Sequence, residues 1–434
     1  MFGYYFQLAL RSFKRNKVLT ALMVLAIALG IGACMTTLTV FHVLSGDPIP
    51  GKSDRLFYVQ LDPEPIDGYK PGDEPQDQLT RFDAQELLRQ GKAARQAMMT
   101  GGGGALEPAG SKLKPFLIGM RYTSADFFPM FEVPFLHGRT WSAADDQAHA
   151  RVAVITRELA EKLFGRTDVV GRDVRVDGHD LRIVGVLDHW APTPHFFDLT
   201  TGSYAREEEV FLPISTALEF KLDRNGNMNC FGRSVVGDPT AENVPCAWLQ
   251  YWVELGSATD APAYKAYLDQ YSEQQRRAGG FERPANTRLR NVMEWLEFRQ
   301  VVPGDVRLQL WLAFGFLLVC LLNTVGLLLA KFLRRSGEIG VRRALGASRM
   351  EIFKQCMVES GVVGLAGGVA GLGLALLGLW AVRQRPTDYA ALAQLDGRML
   401  LLTFALAIAA SLLAGLLPAW RAMRVPPALQ LKSQ

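Results

Sequence analysis

Few side chains in this 434-residue sequence are spaced for catalysis. His189 and His195 flank a proline-bearing stretch and could offer imidazoles to a metal, but no third ligand accompanies them, so both read as loop histidines. Neither His-Glu-x-x-His nor Gly-x-Ser-x-Gly occurs. No Gly-x-x-x-x-Gly-Lys-Ser/Thr loop is present to cradle a nucleotide phosphate. The run Gly101 to Gly104 lacks the lysine of such a loop and reads as a flexible connection. The densest local signals are mechanical. They lie in Glu338-Ile339-Gly340-Val341-Arg342-Arg343-Ala344-Leu345-Gly346-Ala347 and the Ser348-x-x-Glu351 that follows. Gly346 suits the position after a helix, where left-handed backbone is needed. Ser348 and Glu351 form a capping box for the next helix. A short basic helix thus ends in a tight turn at the base of a longer one and can pass a push along it. A solvated basic loop is the alternative that pattern alone leaves open.

The elements that position this segment are apolar. Four uncharged runs cover residues 18–44, 308–330, 360–382 and 399–420. Each exceeds the roughly 20 residues a helix needs to cross the hydrocarbon core. The first has a basic leader, but its apolar stretch is about twice that of a signal peptide. Ile31-Gly32-Ala33-Cys34 has some likeness to a lipoprotein cleavage box. The run continues past it, so Cys34 reads as a small apolar residue. Charge then sets the topology. Residues 1–17 hold four basic residues and no acid, 331–359 hold seven basic and three acidic, and 421–434 hold three basic and none acidic. The block 45–307 carries 30 basic and 38 acidic residues, a net of −8. Positive flanks belong in the cytoplasm, so both termini are expected inside and the acidic block outside. An acidic exterior also argues against nucleic acid as a partner.

Finer features follow. Phe2, Tyr5, Phe6, Ala9, Leu10 and Phe13 recur at helical spacing opposite Gln7, Arg11 and Lys14, which suits an amphipathic helix in the lipid interface. The third run places Gly364, Gly367, Gly368 and Gly371 where helices can approach closely, within the chain or with a second copy. Asn323 is expected to make an interhelical hydrogen bond, and Glu359 to sit at the membrane edge.

The exterior block reads as mixed α+β. Strands are expected at 56–61, 151–156 and 248–255, and helices at 80–90, 157–164 and 261–278. Asp177-Gly178 between 174–176 and 181–186 signals a hairpin. Cys230 and Cys246 are the only cysteines outside the membrane-associated segments. A bridge between them would close a loop of about 15 residues and contribute roughly 3 kcal/mol. Two unpaired thiols are the other reading.

The segment Glu338 to Ala347 closely resembles the cytoplasmic signature of FtsX-like and MacB-like ABC permeases. Glu359-Ser360 and the tail Pro418-Ala419-x-Arg421-Ala422-x-x-x-Pro426-x-Ala428-Leu429 are similar to further motifs of that family. The stretch Val152-Ala153-Val154-Ile155, Leu163-Phe164-Gly165, Val170-Gly171 and Val184-Gly185-Val186 resembles the MacB-type periplasmic domain. The resemblance implies a membrane α-helical fold of four transmembrane helices with a large α+β periplasmic domain, made of porter-like and β-rich subdomains. Its divisions are 1–17 cytoplasmic amphipathic helix, 18–44 first span, 45–307 periplasmic MacB-like domain, 308–330 second span and 331–359 coupling-helix segment. The third span at 360–382, a periplasmic loop at 383–398, the fourth span at 399–420 and a cytoplasmic tail at 421–434 complete the plan. By resemblance, residues 338–347 dock on an ABC ATP-binding subunit in the bacterial inner membrane, and the chain relays ATP-driven motion to the periplasm to drive export. ATP and magnesium belong to that partner, expected as a separate polypeptide because only 17 residues precede the first span; this chain is expected to bind no cofactor and to be no enzyme. A second permease copy or a paralogue, a periplasmic adaptor, an outer-membrane channel and membrane lipids are the other implied partners. An FtsX-like regulator of cell-wall hydrolases and Lol-type lipoprotein extraction are the alternatives.

Overall fold

The computed structural model describes residues 17–108, 113–204, 208–232, 237–384 and 397–424. The N-terminal amphipathic segment, most of the loop 383–398 and the tail motif at Pro426, Ala428 and Leu429 lie outside these residues. The chain forms two units, Met1–Ser45 with Val302–Gln434, and Gly46–Val301.

The second unit is built on one mixed sheet. Its strands are β1 (Leu56–Gln60), β2 (Leu79–Thr80), β3 (Arg95–Glu107), β4 (Phe116–Thr123), β5 (Phe135–Gly138), β6 (Val152–Thr156), β7 (Asp173–Val176), β8 (His179–Leu187), β9 (Val210–Pro213), β10 (Asn229–Cys230), β11 (Cys246–Glu254) and β12 (Arg288–Asn291). The main order is β12-β1-β11-β3-β4-β9-β6-β8-β5. Early and late segments therefore meet at one end, middle segments occupy the other, and the antiparallel β3–β4 pair joins them. Helices α1 (Arg81–Gln90), α2 (Phe127–Met130), α3 (Ala143–Gln147), α4 (Arg157–Phe164), α5 (Ile214–Phe220), α6 (Ala261–Arg277) and α7 (Val292–Phe298) connect the strands.

Alternation along the strands places a core on each side of the sheet. Phe57, Val59, Met98, Tyr251 and Val253 pack with Leu87 of α1 and Leu268 of α6. Tyr58, Ala97, Met99 and Trp252 pack instead with Phe127, Phe131 and Trp295. Burial on both faces explains why β11 reads as a nearly continuous apolar run.

Local signals decide the helix ends and the hairpin. Thr80 accepts from the Asp83 amide to start α1, and Thr156 from the Leu159 amide to start α4. Gly91 and Gly165 end these helices in left-handed backbone. Asp177 and Gly178, at φ of 46° and 80°, turn β7 into β8.

The Gly101 to Gly104 run differs from expectation. It lies inside β3, paired in register with Arg121 to Ile118 of β4. The reason is close approach rather than flexibility. A Cβ at Gly102 would fall on the Tyr122 ring, and one at Gly101 on the Asn225 side chain. Asn225 lies across this bare backbone, its amide donating to Gly101 O at 3.0 Å and its Nδ2 to Gly102 O at 3.1 Å.

Cys230 and Cys246 stand opposite each other in the β10–β11 register, Cα atoms 4.0 Å apart, and are disulfide-bonded. Their sequence separation is 16. Replacing both by serine is expected to lower the unit's unfolding free energy by about 3 kcal/mol, read as a shifted denaturant midpoint in tryptophan fluorescence. An unchanged midpoint would mean that the bridge does not constrain the unfolded chain.

Among the described residues, the other unit contains four helices long and apolar enough to cross a membrane: span 1 (Lys17–Ser45), span 2 (Gly304–Arg334), span 3 (Arg349–Arg383) and span 4 (Gly397–Met423). Glycines set the packing of span 3. A Cβ at Gly367 would lie 2.6 Å from Ile27 Cγ2, and one at Gly371 3.1 Å from Ile31 Cγ2, both on span 1. A Cβ at Gly368 would lie 2.8 Å from Ala407 Cβ, and one at Gly364 would strike Ser411, both on span 4. Two bare stripes thus admit two neighbours to one helix.

One polar residue is placed differently from expectation. Asn323 is exposed on span 2. Leu317, Cys320, Thr324 and Leu328 are the buried positions there, and their spacing turns position 323 outward. Glu359 is buried among helices. Its Oε1 is 2.6 Å from Lys331 Nζ of span 2, and Arg335 Nη1 lies 3.4 Å from its Oε2.

Candidate functional site

The segment between spans 2 and 3 forms a helix, Ser336–Ala344, here the bridging helix. Leu345 caps it, and Gly346 follows at a φ of 102°. Only a glycine takes this conformation without strain. Ser348 then opens span 3. Its Oγ accepts from the Glu351 amide at 3.2 Å, while Glu351 Oε2 accepts from the Ser348 amide at 2.8 Å. One tight turn therefore separates the bridging helix from a 35-residue helix.

The bridging helix is held from behind. Arg342 Nη1 donates to Gln355 Oε1 of span 3 at 2.9 Å. Arg343 Nη1 donates to the Met423 carbonyl of span 4 at 3.5 Å. Arg335, at the helix start, reaches Glu359. Gly340 is buried. Three apolar side chains are exposed here: Val341 at 54%, Leu345 at 84%, and Met350, on the first turn of span 3, at 56%. Glu338, Ala344 and Gly346 are also exposed, and Ile339 and Ala347 are half-buried. Sequence reasoning marked residues 338–347 as one segment. It did not separate Arg342 and Arg343, which brace the helix, from Val341 and Leu345, which are exposed. The 3.6-residue period of Val341 and Leu345 was the available signal.

The other unit holds a second constellation. Arg121 of β4 is 1% exposed. Its Nη1 donates to Asp198 Oδ2 at 2.6 Å, its Nε and Nη2 reach Glu208, and its guanidinium lies 5.1 Å from the Phe197 ring centroid. His195 lies in a loop, as expected, and is buried here. Its Nε2 is 3.1 Å from Glu208 Oε2, and its Nδ1 is 3.0 Å from the Asp198 carbonyl. His189 is exposed and lies beside Glu158, so the two histidines do not converge. Burial opposes charge on Glu208, but Arg121 and His195 outweigh it and hold the carboxyl below its ordinary range. Burial likewise opposes charge on His195, and Glu208 outweighs it and pulls the imidazole pKa up.

A model of the MacB-like periplasmic core domain matches residues 20–271, and a model of the FtsX-like permease C-terminal domain matches residues 310–427. The chain belongs to the MacB-like and FtsX-like ABC permeases. The macrolide export ATP-binding/permease protein MacB of Azoarcus sp. (strain BH72) is 27% identical to the permease over 304 residues, covering 69% of this chain and 40% of that protein. The pyoverdine export ATP-binding/permease protein PvdT of Pseudomonas fluorescens is 25% identical over 331 residues, covering 73% and 44%. The permease thus spans less than half the length of these curated relatives. The crystal structure of the periplasmic region of MacB from Actinobacillus actinomycetemcomitans aligns with a TM-score of 0.37 and 14% identity, covering 59% of this chain and 96% of that one.

Proposed function

We propose that this permease couples an ABC ATP-binding subunit in the cytoplasm to movement of a substrate out of the periplasm or the membrane. The subunit docks on the Val341–Leu345–Met350 ridge. ATP-driven closure pushes the bridging helix, and span 3 carries the displacement across the bilayer toward the periplasmic domain. The single observation behind this reading is the join itself: an exposed apolar ridge, one glycine turn and a capped, continuous helix. Arg335 and Glu359 tie the same node to span 2, so a push is shared by two spans. The charge pattern supports cytoplasmic termini in a bacterial inner membrane. The names of the relatives support export as the class of work. A second permease chain, a periplasmic adaptor and an outer-membrane channel complete the proposed assembly.

The test is native purification in mild detergent with mass spectrometry of what stays bound. An ATP-binding subunit at about one per permease is the expected result. Its absence, under conditions that preserve a known ABC complex, would overturn the coupled reading.

A further inference from the structure

Spans 1 and 4 each pack against both span 2 and span 3. Across this bundle two charges meet. Lys331, in the last turn of span 2, places its Nζ 2.6 Å from Glu359 Oε1 of span 3. Both side chains are shut off from solvent, at 0% and 5% exposure. Arg335, the residue before the bridging helix, lies 3.4 Å from the other carboxylate oxygen. Arg342, further along that helix, donates to Gln355. Gln355 and Glu359 are four residues apart, so they share one face of span 3. The end of span 2, the bridging helix and the start of span 3 are therefore cross-tied on that face.

A buried ion pair is a poor source of stability, because apolar residues of similar size commonly do as well or better. What it supplies is register. The glycine stripes of span 3 meet Ile27, Ile31 and Ala407 by close van der Waals contact, which has no preferred direction. The ion pair is satisfied in one arrangement. A slide of span 3 past span 2 by a helical turn, about 5.4 Å, would part the two charges where water does not reach them. Parting charges there costs far more than it does in solvent.

We infer that Glu359 is a positioning residue: its pair with Lys331 locks the register of span 3 to span 2, so that both spans and the bridging helix move as one bracket. The lock stands on the ion pair. Its use, to pass the push of a docked ATP-binding subunit to two spans without slip, rests on the proposed function.

The test uses the full chain in nanodiscs, spin-labelled through Leu333→Cys on span 2 and Lys354→Cys on span 3, both exposed positions. Cys34, Cys320 and Cys356 are replaced by alanine. With Lys331 and Glu359 intact, double electron–electron resonance should give one narrow distance distribution. Glu359→Gln should broaden or split it. Lys331→Met with Glu359→Met removes the pair without stranding a charge, so the chain should melt as the parent does while the distribution stays broad. A narrow distribution in either variant would overturn the lock. So would a methionine variant that loses heat stability along with register, since the pair would then be a stabilising brace. With the ATP-binding subunit present, Glu359→Gln should keep capture and lose permease-dependent hydrolysis about tenfold, a usual size for coupling between distant sites. Full coupling in that variant would overturn the use of the lock. No capture by the parent chain would overturn the coupling reading, and the distance distributions would still decide the lock.

Discussion

An Arg121→Met variant is expected to lower the stability of the Gly46–Val301 unit by about 3–5 kcal/mol. The reason is what the substitution leaves behind. Asp198 is 1% exposed and Glu208 9% exposed, and both face the guanidinium from inside the protein. Methionine fills much of the space but offers neither charge nor hydrogen bonds, so two carboxylates stay buried with only His195 beside Glu208 and the Thr200 donors on Asp198 to answer them. The denaturant midpoint, read by tryptophan fluorescence on the full chain, should fall accordingly. Adding Asp198→Asn and Glu208→Gln to Arg121→Met should recover part of the loss, since the stranded charges go with it. A single variant within about 1 kcal/mol of wild type would show that the network is not a stabilising brace. The pH dependence has a definite sign. Glu208 has a depressed pKa, so its contribution is present above the ordinary carboxylate value and is lost as pH falls through the depressed one. His195 has a raised pKa, so its contribution is present below the ordinary imidazole value and is lost as pH rises through the raised one. Together they favour a stability maximum on the acidic side of neutrality, and Arg121→Met should flatten its acid limb.

Val341→Asp with Leu345→Asp is expected to abolish capture of the ATP-binding subunit while the chain still inserts in the membrane. Both side chains are exposed. Apolar anchors at the centre of an interface commonly contribute about 2 kcal/mol or more each, roughly thirtyfold in affinity. Arg342→Glu with Arg343→Glu should act differently. Those arginines hold the bridging helix to Gln355 and to the Met423 carbonyl. Reversal sets a carboxylate against a carbonyl and frees the helix from spans 3 and 4. Partner capture should persist in part, but ATP hydrolysis should no longer drive the extramembrane domain. The readouts are the amount of co-purified subunit and the dependence of hydrolysis on reconstituted permease. If both pairs left capture and coupling intact, residues 338–347 would not be the docking element.

Much of this architecture was open to reading because it rests on local physics. An uncharged run longer than the hydrocarbon is thick has few alternatives to a span. A Ser-x-x-Glu pair starts a helix, and Gly346 ends one, through hydrogen bonds and backbone angles that need only near neighbours. The Asp177-Gly178 turn is of the same kind. What was misjudged depends on distant residues. Four glycines in a row look like a hinge until Tyr122 and Asn225 are known to lie on them. His195 is a loop residue, as read, but nothing near it in sequence shows that Glu208 and Arg121 close around it. Asn323 and Glu359 lie in or beside apolar runs with little to tell them apart, yet the packing of spans 2 and 3 exposes one and buries the other against Lys331.

By itself, then, the sequence determined the number of spans, the sign of charge on each flank, the α+β character of the large domain and the capped turn into span 3. Each follows from hydropathy, charge or backbone preference along a short stretch of chain. Only the tertiary structure decided that Arg342 and Arg343 brace the bridging helix while Val341 and Leu345 are exposed, and that span 3 presents one glycine stripe to span 1 and another to span 4. Those are relations between residues far apart in the chain, set by close packing and by which buried charges find partners.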